Sequence, residues 1–167
     1  RCTYLDGVLV AENGKSMIPS VKEERPNRFH CTAKSPQDFA VAATKDELLV
    51  ITALDGQLIT GKELLQGKVE NGHFVADPSR DVLKIAVVNR YQDAKPAIGW
   101  IRNFGLKRGA IAGSVAHDSH NIVAVGTNDD DLCAAINLVI EARGGVSLAD
   151  GDETNILPLP VAGIMTD

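Results

Sequence analysis

Aromatic side chains are scarce in this chain: Phe, Trp and Tyr together make up 4% of its 167 residues. The core must therefore be aliphatic, filled by Val, Ile, Leu and Ala. Cysteine is also sparse. Cys2, Cys31 and Cys133 are odd in number and form no C-x-x-C pair, which excludes a disulfide framework and a cysteine zinc cluster. Cys133 falls in an apolar helical pattern and reads as a small buried hydrophobe. Clustered basic charge is missing too. The formal net charge is −5 and no basic run is denser than Lys107-Arg108, so the chain lacks the cationic surface that nucleic acid requires. No apolar run approaches the roughly 20 residues of a membrane span. No signal peptide is visible, and with reduced thiols this points to the cytoplasm.

What is present is an ordinary globular composition, 44% hydrophobic and 23% charged, with the length of one domain plus a small appendage. The chain begins with Arg1 and ends on the apolar segment 157–167. Apolar ends are uncomfortable at a surface, so a piece of a longer polypeptide, cut at both ends, is expected.

Residues 4–10 read as a strand entering an Asn13-Gly14 turn. Residues 19–26 read as a linker and 28–33 as a strand. Residues 47–54 form a strong strand ended by Asp55-Gly56, with 57–60 as the returning arm of a hairpin. Residues 63–65 are too short to assign, and Asn71-Gly72 precedes a strand at 73–76. Residues 82–89 suit a sheet interior except for Lys84. Further strands are expected at 97–104, 110–116 and 122–125. Leu132, Ala135, Ile136, Val139 and Ile140 recur at helical spacing and predict one strong helix over about 128–143. Thr127 or Asn128 would cap it, with Asp129, Asp130 and Asp131 in its first turn and Arg143-Gly144-Gly145 at its stop. Residues 146–149 and 155–159 read as short strands across Asp150-Gly151-Asp152. The fold class is α/β or α+β, a mixed β-sheet with few helices.

The densest chemistry lies in Ser114, His117, Asp118, Ser119, His120 and Asn121, between two apolar segments. Buried polar groups need hydrogen-bond partners, so such a crowd is either a site or a tight turn. In an extended strand His117 and Ser119 share one face, Asp118 and His120 the other. A Ser–His–Asp triad therefore cannot form without a turn. H-D-x-H matches no standard metal-ligand spacing, so no metal site is assigned to this chain. Two readings stand: a hairpin corner whose polar groups satisfy the backbone, or one wall of a pocket completed by another domain. The three aspartates could hold a cation, but helix capping explains them more simply. Gly105, Gly109 and Gly113 lack the Gly-Lys-Ser/Thr of a phosphate loop and suit turns. His30 and His73 stand alone as structural or surface residues, and Trp100 reads as core or interface.

Several segments together carry a family resemblance. They are 81–90 (DVLKIAVVNR), 103–112 (NFGLKRGAIA), 114–121 (SVAHDSHN), 125–130 (VGTNDD) and 157–167 (LPLPVAGIMTD). The chain from about Arg28 to its end resembles the C-terminal domain of bacterial adenine deaminases, purine-salvage hydrolases of the metal-dependent amidohydrolase superfamily. Residues 6–15 (DGVLVAENGK) resemble the small β segment that adjoins the catalytic barrel there. The resemblance divides the chain into 1–18, the end of that segment, and 28–167, a C-terminal domain whose family sequence continues beyond Asp167. It implies a parent enzyme that hydrolyses adenine at a cyclic amidine C–N bond, giving hypoxanthine and ammonia. It implies manganese or iron in a barrel this chain lacks, so the fragment alone should be inactive and needs no cofactor itself. The implied partners are that barrel, adenine and a second copy of the chain; nucleic acid and membrane are not among them. Ser114, His117, Asp118, Ser119, His120 and Asn121 would then line the substrate pocket or relay protons. The alternative is a non-catalytic structural or oligomerisation module.

Overall fold

The computed structural model describes residues 1–19 and 26–166. The expected linker falls, at 20–25, outside the described residues. In chain order the strands are β1 (Cys2–Leu5), β2 (Val8–Glu12), β3 (Lys15–Ser16), β4 (Val41–Ala42), β5 (Glu47–Thr52), β6 (Gly61–Gln66), β7 (Lys68–Glu70), β8 (His73–Val75), β9 (Leu83–Val88), β10 (Ala97–Arg102), β11 (Ala110–Gly113), β12 (Ile122–Gly126), β13 (Gly145–Asp150) and β14 (Glu153–Pro158). Among the described residues a single α-helix, α1 (Asp129–Glu141), lies between β12 and β13, and a 3-10 turn covers Pro36–Phe39.

Strands β1, β2 and β3 form a small antiparallel sheet. The expected strand at 4–10 is two strands, because Asp6 and Gly7 both take positive φ (48° and 79°). That left-handed pair makes a hairpin turn whose twist matches its flanking strands. Asn13 and Gly14 do the same at φ 49° and 81°.

The main sheet has eight strands in the order β14-β13-β11-β12-β9-β10-β5-β6. Only β10 and β5 pair in parallel, so the sheet is mixed. A third small sheet, β4-β8-β7, places Phe74 edge-on against Trp100 at 6.3 Å, above β5 and β10.

Helix α1 covers the other half of the same sheet face. Its Leu132, Ala135, Ile136 and Val139 pack with Ala86, Ala110, Ala112, Ala124 and Ala149 of the sheet. Alanines on the strands let the helix come close, so its larger side chains fill the space between layers. The helix begins at Asn128, whose Oδ1 accepts from the Asp131 amide at 2.8 Å. Thr127 is not the cap, because its hydroxyl donates to the Gly109 carbonyl. Arg143 ends the helix by turning left-handed at φ 56°.

Lys84 sits in a core strand at 1% exposure. Its ammonium donates to the Phe39 carbonyl at 2.9 Å and to the Asp129 carboxylate, and lies 5.5 Å from the centre of the Trp100 ring. A buried charge is tolerable only when paired and hydrogen-bonded in this way.

Three further expectations change. Residues 28–33 are not a strand: the His30 and Cys31 amides both donate to one carbonyl, that of Arg90, which is no ladder. The arm returning from β5 is Gly61–Gln66 rather than 57–60, with Thr52 opposite Gly61, so the unassigned 63–65 lies inside a strand. The strand expected over 110–116 stops at Gly113, where Ser114 turns into the core.

Candidate functional site

The turn between β11 and β12 has a buried foot and an open head. Ser114 is the foot, at 0% exposure. Its amide donates to the Gly145 carbonyl at 3.0 Å, and its hydroxyl accepts from the Gly145 amide at 2.9 Å. The same hydroxyl donates to the Gly163 carbonyl. One side chain thus joins the end of β11, the start of β13 and the turn at 161–165.

Glycine is required at this junction. A Cβ on Gly163, where φ is 75°, would lie 2.0 Å from Arg90 Nη1. A Cβ on Gly144 would lie 2.3 Å from the Gly163 Cα. Arg90 fills the remaining space, 5% exposed. It donates from Nη1 to the Ala162 carbonyl at 2.8 Å and lies 5.4 Å from the Phe29 ring centre and 4.8 Å from that of Tyr91. Its backbone amide donates to Asn121 Oδ1 at 3.3 Å. Ser114 and Asn121 therefore hold the two ends of the turn against buried structure.

Between them the chain makes one tight turn. The Ser119 and His120 amides donate to the Ala116 carbonyl at 3.2 and 2.6 Å, and His120 closes the turn at φ 51°. The strand alternation considered for these residues does not apply. Ser119 Oγ accepts from the Asn121 amide at 3.4 Å. His117, Asp118 and Ser119 are exposed. Neither the His117 nor the Asp118 side chain has a hydrogen bond or ion pair among the described residues. His120 is half-buried, and its Nδ1 has no partner among the described residues. The turn brings the six residues into one corner without joining Ser, His and Asp into a triad. Among the described residues no three His, Cys, Asp or Glu side chains converge to hold a metal ion. The described residues thus offer no ligand set for the manganese or iron that the family resemblance implies in a separate barrel.

Val115 and Ala116, which lead into the turn, also line a cavity of about 410 Å³ on the sheet face opposite α1. Its other walls include Ile85, Phe104, Ile111 and Val123, so it is almost wholly apolar. The turn thus carries polar heads at the rim of an apolar hollow.

The remaining candidates have structural roles. Asp129 pairs with Lys84, and Asp131 accepts from Asn128 Nδ2 at 2.6 Å and from the Gly151 amide at 2.8 Å. Gly105 and Gly109 occupy left-handed turns at φ 81° and 71°. His30 and His73 are exposed, and Trp100 is core at 5% exposure. Burial pushes the Cys31 and Cys133 thiols up from their ordinary value, so both are poor nucleophiles near neutral pH. No helix among the described residues is long and apolar enough to cross a membrane.

Sequence reasoning missed Arg90 and Gly163. The only local hint was an arginine placed directly after an apolar strand. It also missed a polar tie in which Asp93 accepts from Lys34 Nζ at 2.6 Å and Thr32 Oγ1 at 2.8 Å, anchoring the irregular segment before the 3-10 turn.

Comparison with known proteins identifies the family. The family described as Adenine deaminase C-terminal domain matches residues 57–167. An adenine deaminase of Salinibacter ruber is 52% identical over 166 residues, covering 99% of this chain and 30% of the relative. One from Methanosarcina acetivorans is 44% identical over 174 residues, covering 98% and 32%. One from Borreliella afzelii is 42% identical over 165 residues, covering 98% and 30%. The chain spans about a third of the length of the curated relatives it matches, and it belongs to the adenine deaminase family as its C-terminal portion.

Proposed function

We propose that this chain is the C-terminal domain of an enzyme that hydrolyses adenine to hypoxanthine and ammonia, and that the Ser114–Asn121 turn faces its catalytic barrel. The observation that carries this reading is the division of labour within the turn. Ser114 and Asn121 are tied to buried groups, while His117, Asp118 and Ser119 stand exposed on that fixed base. Binding groups work best when the backbone beneath them is already in place.

In the reaction water adds at C6 of the purine and the amino group departs as ammonia. A manganese or iron centre, held by residues outside this chain, would supply the activated water. This chain's part is recognition and proton handling. The imidazoles of His117 and His120 and the Ser119 hydroxyl match the ring nitrogens and exocyclic amine of adenine. Asp118 follows His117 in the chain but bonds to neither histidine here, so a proton relay through it would close only with substrate in place. Free thiols at Cys2, Cys31 and Cys133 support a cytoplasmic setting.

The test is His117→Ala and His120→Ala in the full-length protein. At least a tenfold loss of kcat/KM for adenine is expected from one of them, with the unfolding midpoint unchanged. If both stay within a few-fold of the parent, the turn is structural. A second reading, a module that serves only folding or assembly, would then hold; the sheet face opposite α1, which carries exposed leucines and valines, favours it.

A further inference from the structure

We propose that the open face of the eight-stranded sheet is where this domain packs against the rest of its own polypeptide, the part preceding it in the longer relatives. The inference rests on the family reading only in that a longer polypeptide exists.

Six large hydrophobic side chains in this sheet are exposed: Leu49, Leu64, Ile111, Val146, Leu148 and Leu157. Directly paired residues of neighbouring strands share a face, so the register shows where they point. Leu49 pairs with Leu64, Ile111 with Leu148, and Val146 with Leu157. Ile111 also pairs with Val125, Val125 with Ile85, and Ile85 with Gly99. Ile101, two residues on from Gly99, pairs with Ile51, which shares its face with Leu49. All six therefore lie on one face, opposite the face on which α1 buries Ala86, Ala110, Ala112 and Ala124. On that open side the loop after β10 covers only the middle, where Leu83, Ile101 and Val125 are buried beside Leu106.

That loop leaves two exposed apolar patches, Leu49 with Leu64 on one side and Ile111 with Val146, Leu148 and Leu157 on the other. The second borders the apolar cavity, a grouping that a lone soluble domain seldom leaves bare. The occupant is identified by what lies outside the chain. The three relatives each extend over more than twice its length, and it corresponds to their C-terminal portion. The cavity that opens on this face is walled by Val115 and Ala116, the residues leading into the His117–His120 turn. Covering the face would bring the partner surface beside that turn. By the same register Lys62, Gln66 and Asn155 lie on this face beside the six, so the partner surface must meet the leucines and valines with apolar side chains and the margins with polar ones.

The test is thiol labelling in the full-length protein on a Cys2→Ser background. Leu148→Cys, Leu157→Cys and Leu49→Cys probe the face, and Leu58→Cys, in an exposed loop, is the reference. Labelling with a maleimide is read peptide by peptide in a sample diluted until it sediments as a monomer. The face positions are expected to react at least tenfold more slowly than Leu58→Cys. A smaller difference overturns the proposal. Protection that appears only at concentrations where two copies associate also overturns it, in favour of a dimer contact. Carbene footprinting of the unsubstituted protein, comparing residues 145–150 with 56–60, gives the same reading if a variant fails to fold. Adenine turnover is not a readout here: a protected face in a protein inactive on adenine keeps this proposal and removes the functional one, and the converse also holds.

Discussion

Replacing Ser114 by Ala removes a single oxygen, yet it should be among the costlier changes in this chain. That oxygen accepts from the Gly145 amide at 2.9 Å and donates to the Gly163 carbonyl, all at 0% exposure of the serine. Without it a buried N–H and a buried C=O each lose a partner, and leaving such a group unsatisfied costs about 1–3 kcal/mol. The Gly145 carbonyl keeps its bond to the Ser114 amide, so the strand pairing survives and the damage stays local. We expect a net loss of roughly 3 kcal/mol, which for a chain of this size lowers the unfolding midpoint by about 6–12 °C. Urea denaturation at fixed pH measures it, with Ser119→Ala as the control. Ser119 is exposed and accepts only a long bond from Asn121, so its loss should stay within about 0.5 kcal/mol. If Ser114→Ala is as mild as Ser119→Ala, the foot of the turn is not held as argued, and the fixed base beneath His117 and Asp118 goes with it.

Two further outcomes follow from the same structure. Gly163→Ala should destabilise the chain by more than about 2 kcal/mol, because the new methyl meets Arg90 Nη1 at a φ that L residues rarely adopt; a midpoint unchanged in urea would contradict the packing of Arg90. The Asp77 carboxyl is held at about 2, first by the Ser79 hydroxyl and then by Arg80, and the Asp93 carboxyl at about 2 by Lys34 and then Thr32. Both lie below the ordinary 3.8. A lowered carboxyl stabilises the folded chain fully above its unfolded value and loses that effect as the proton binds, so stability should fall as pH drops from about 4 to about 2. Asp77→Asn should flatten that slope, and a parent chain with stability constant over this range would refute the assignment.

The helix and most strands were legible because their signals are local. Leu132, Ala135, Ile136 and Val139 repeat at the helical period and are the side chains α1 buries. Asn13-Gly14 and Asn71-Gly72 adopt the positive φ that their residue types favour. The errors also have local causes. Asp6-Gly7 is a turn hidden inside an apolar run, and 28–33 looks like a strand but gives its His30 and Cys31 amides to one Arg90 carbonyl and its Thr32 amide to Asp93. Lys84 breaks the apolar pattern of its strand, and only the arrival of Asp129, Phe39 and Trp100 from other parts of the chain explains its burial.

By itself the sequence determined the aliphatic core, the mixed sheet with one late helix, the polar stretch from Ser114 to Asn121, and the family that stretch belongs to. Those properties depend on composition, on periodicity over a few residues and on short strings. Tertiary structure decided which members of the polar stretch are frame and which are free. Ser114 is tied to residues 31 and 49 positions away, and Arg90, whose amide holds Asn121, reaches a carbonyl 72 positions away. No local pattern encodes bonds across such separations. They form only when three distant pieces of backbone pack together, and that packing leaves His117 and Asp118 exposed beside an open apolar face.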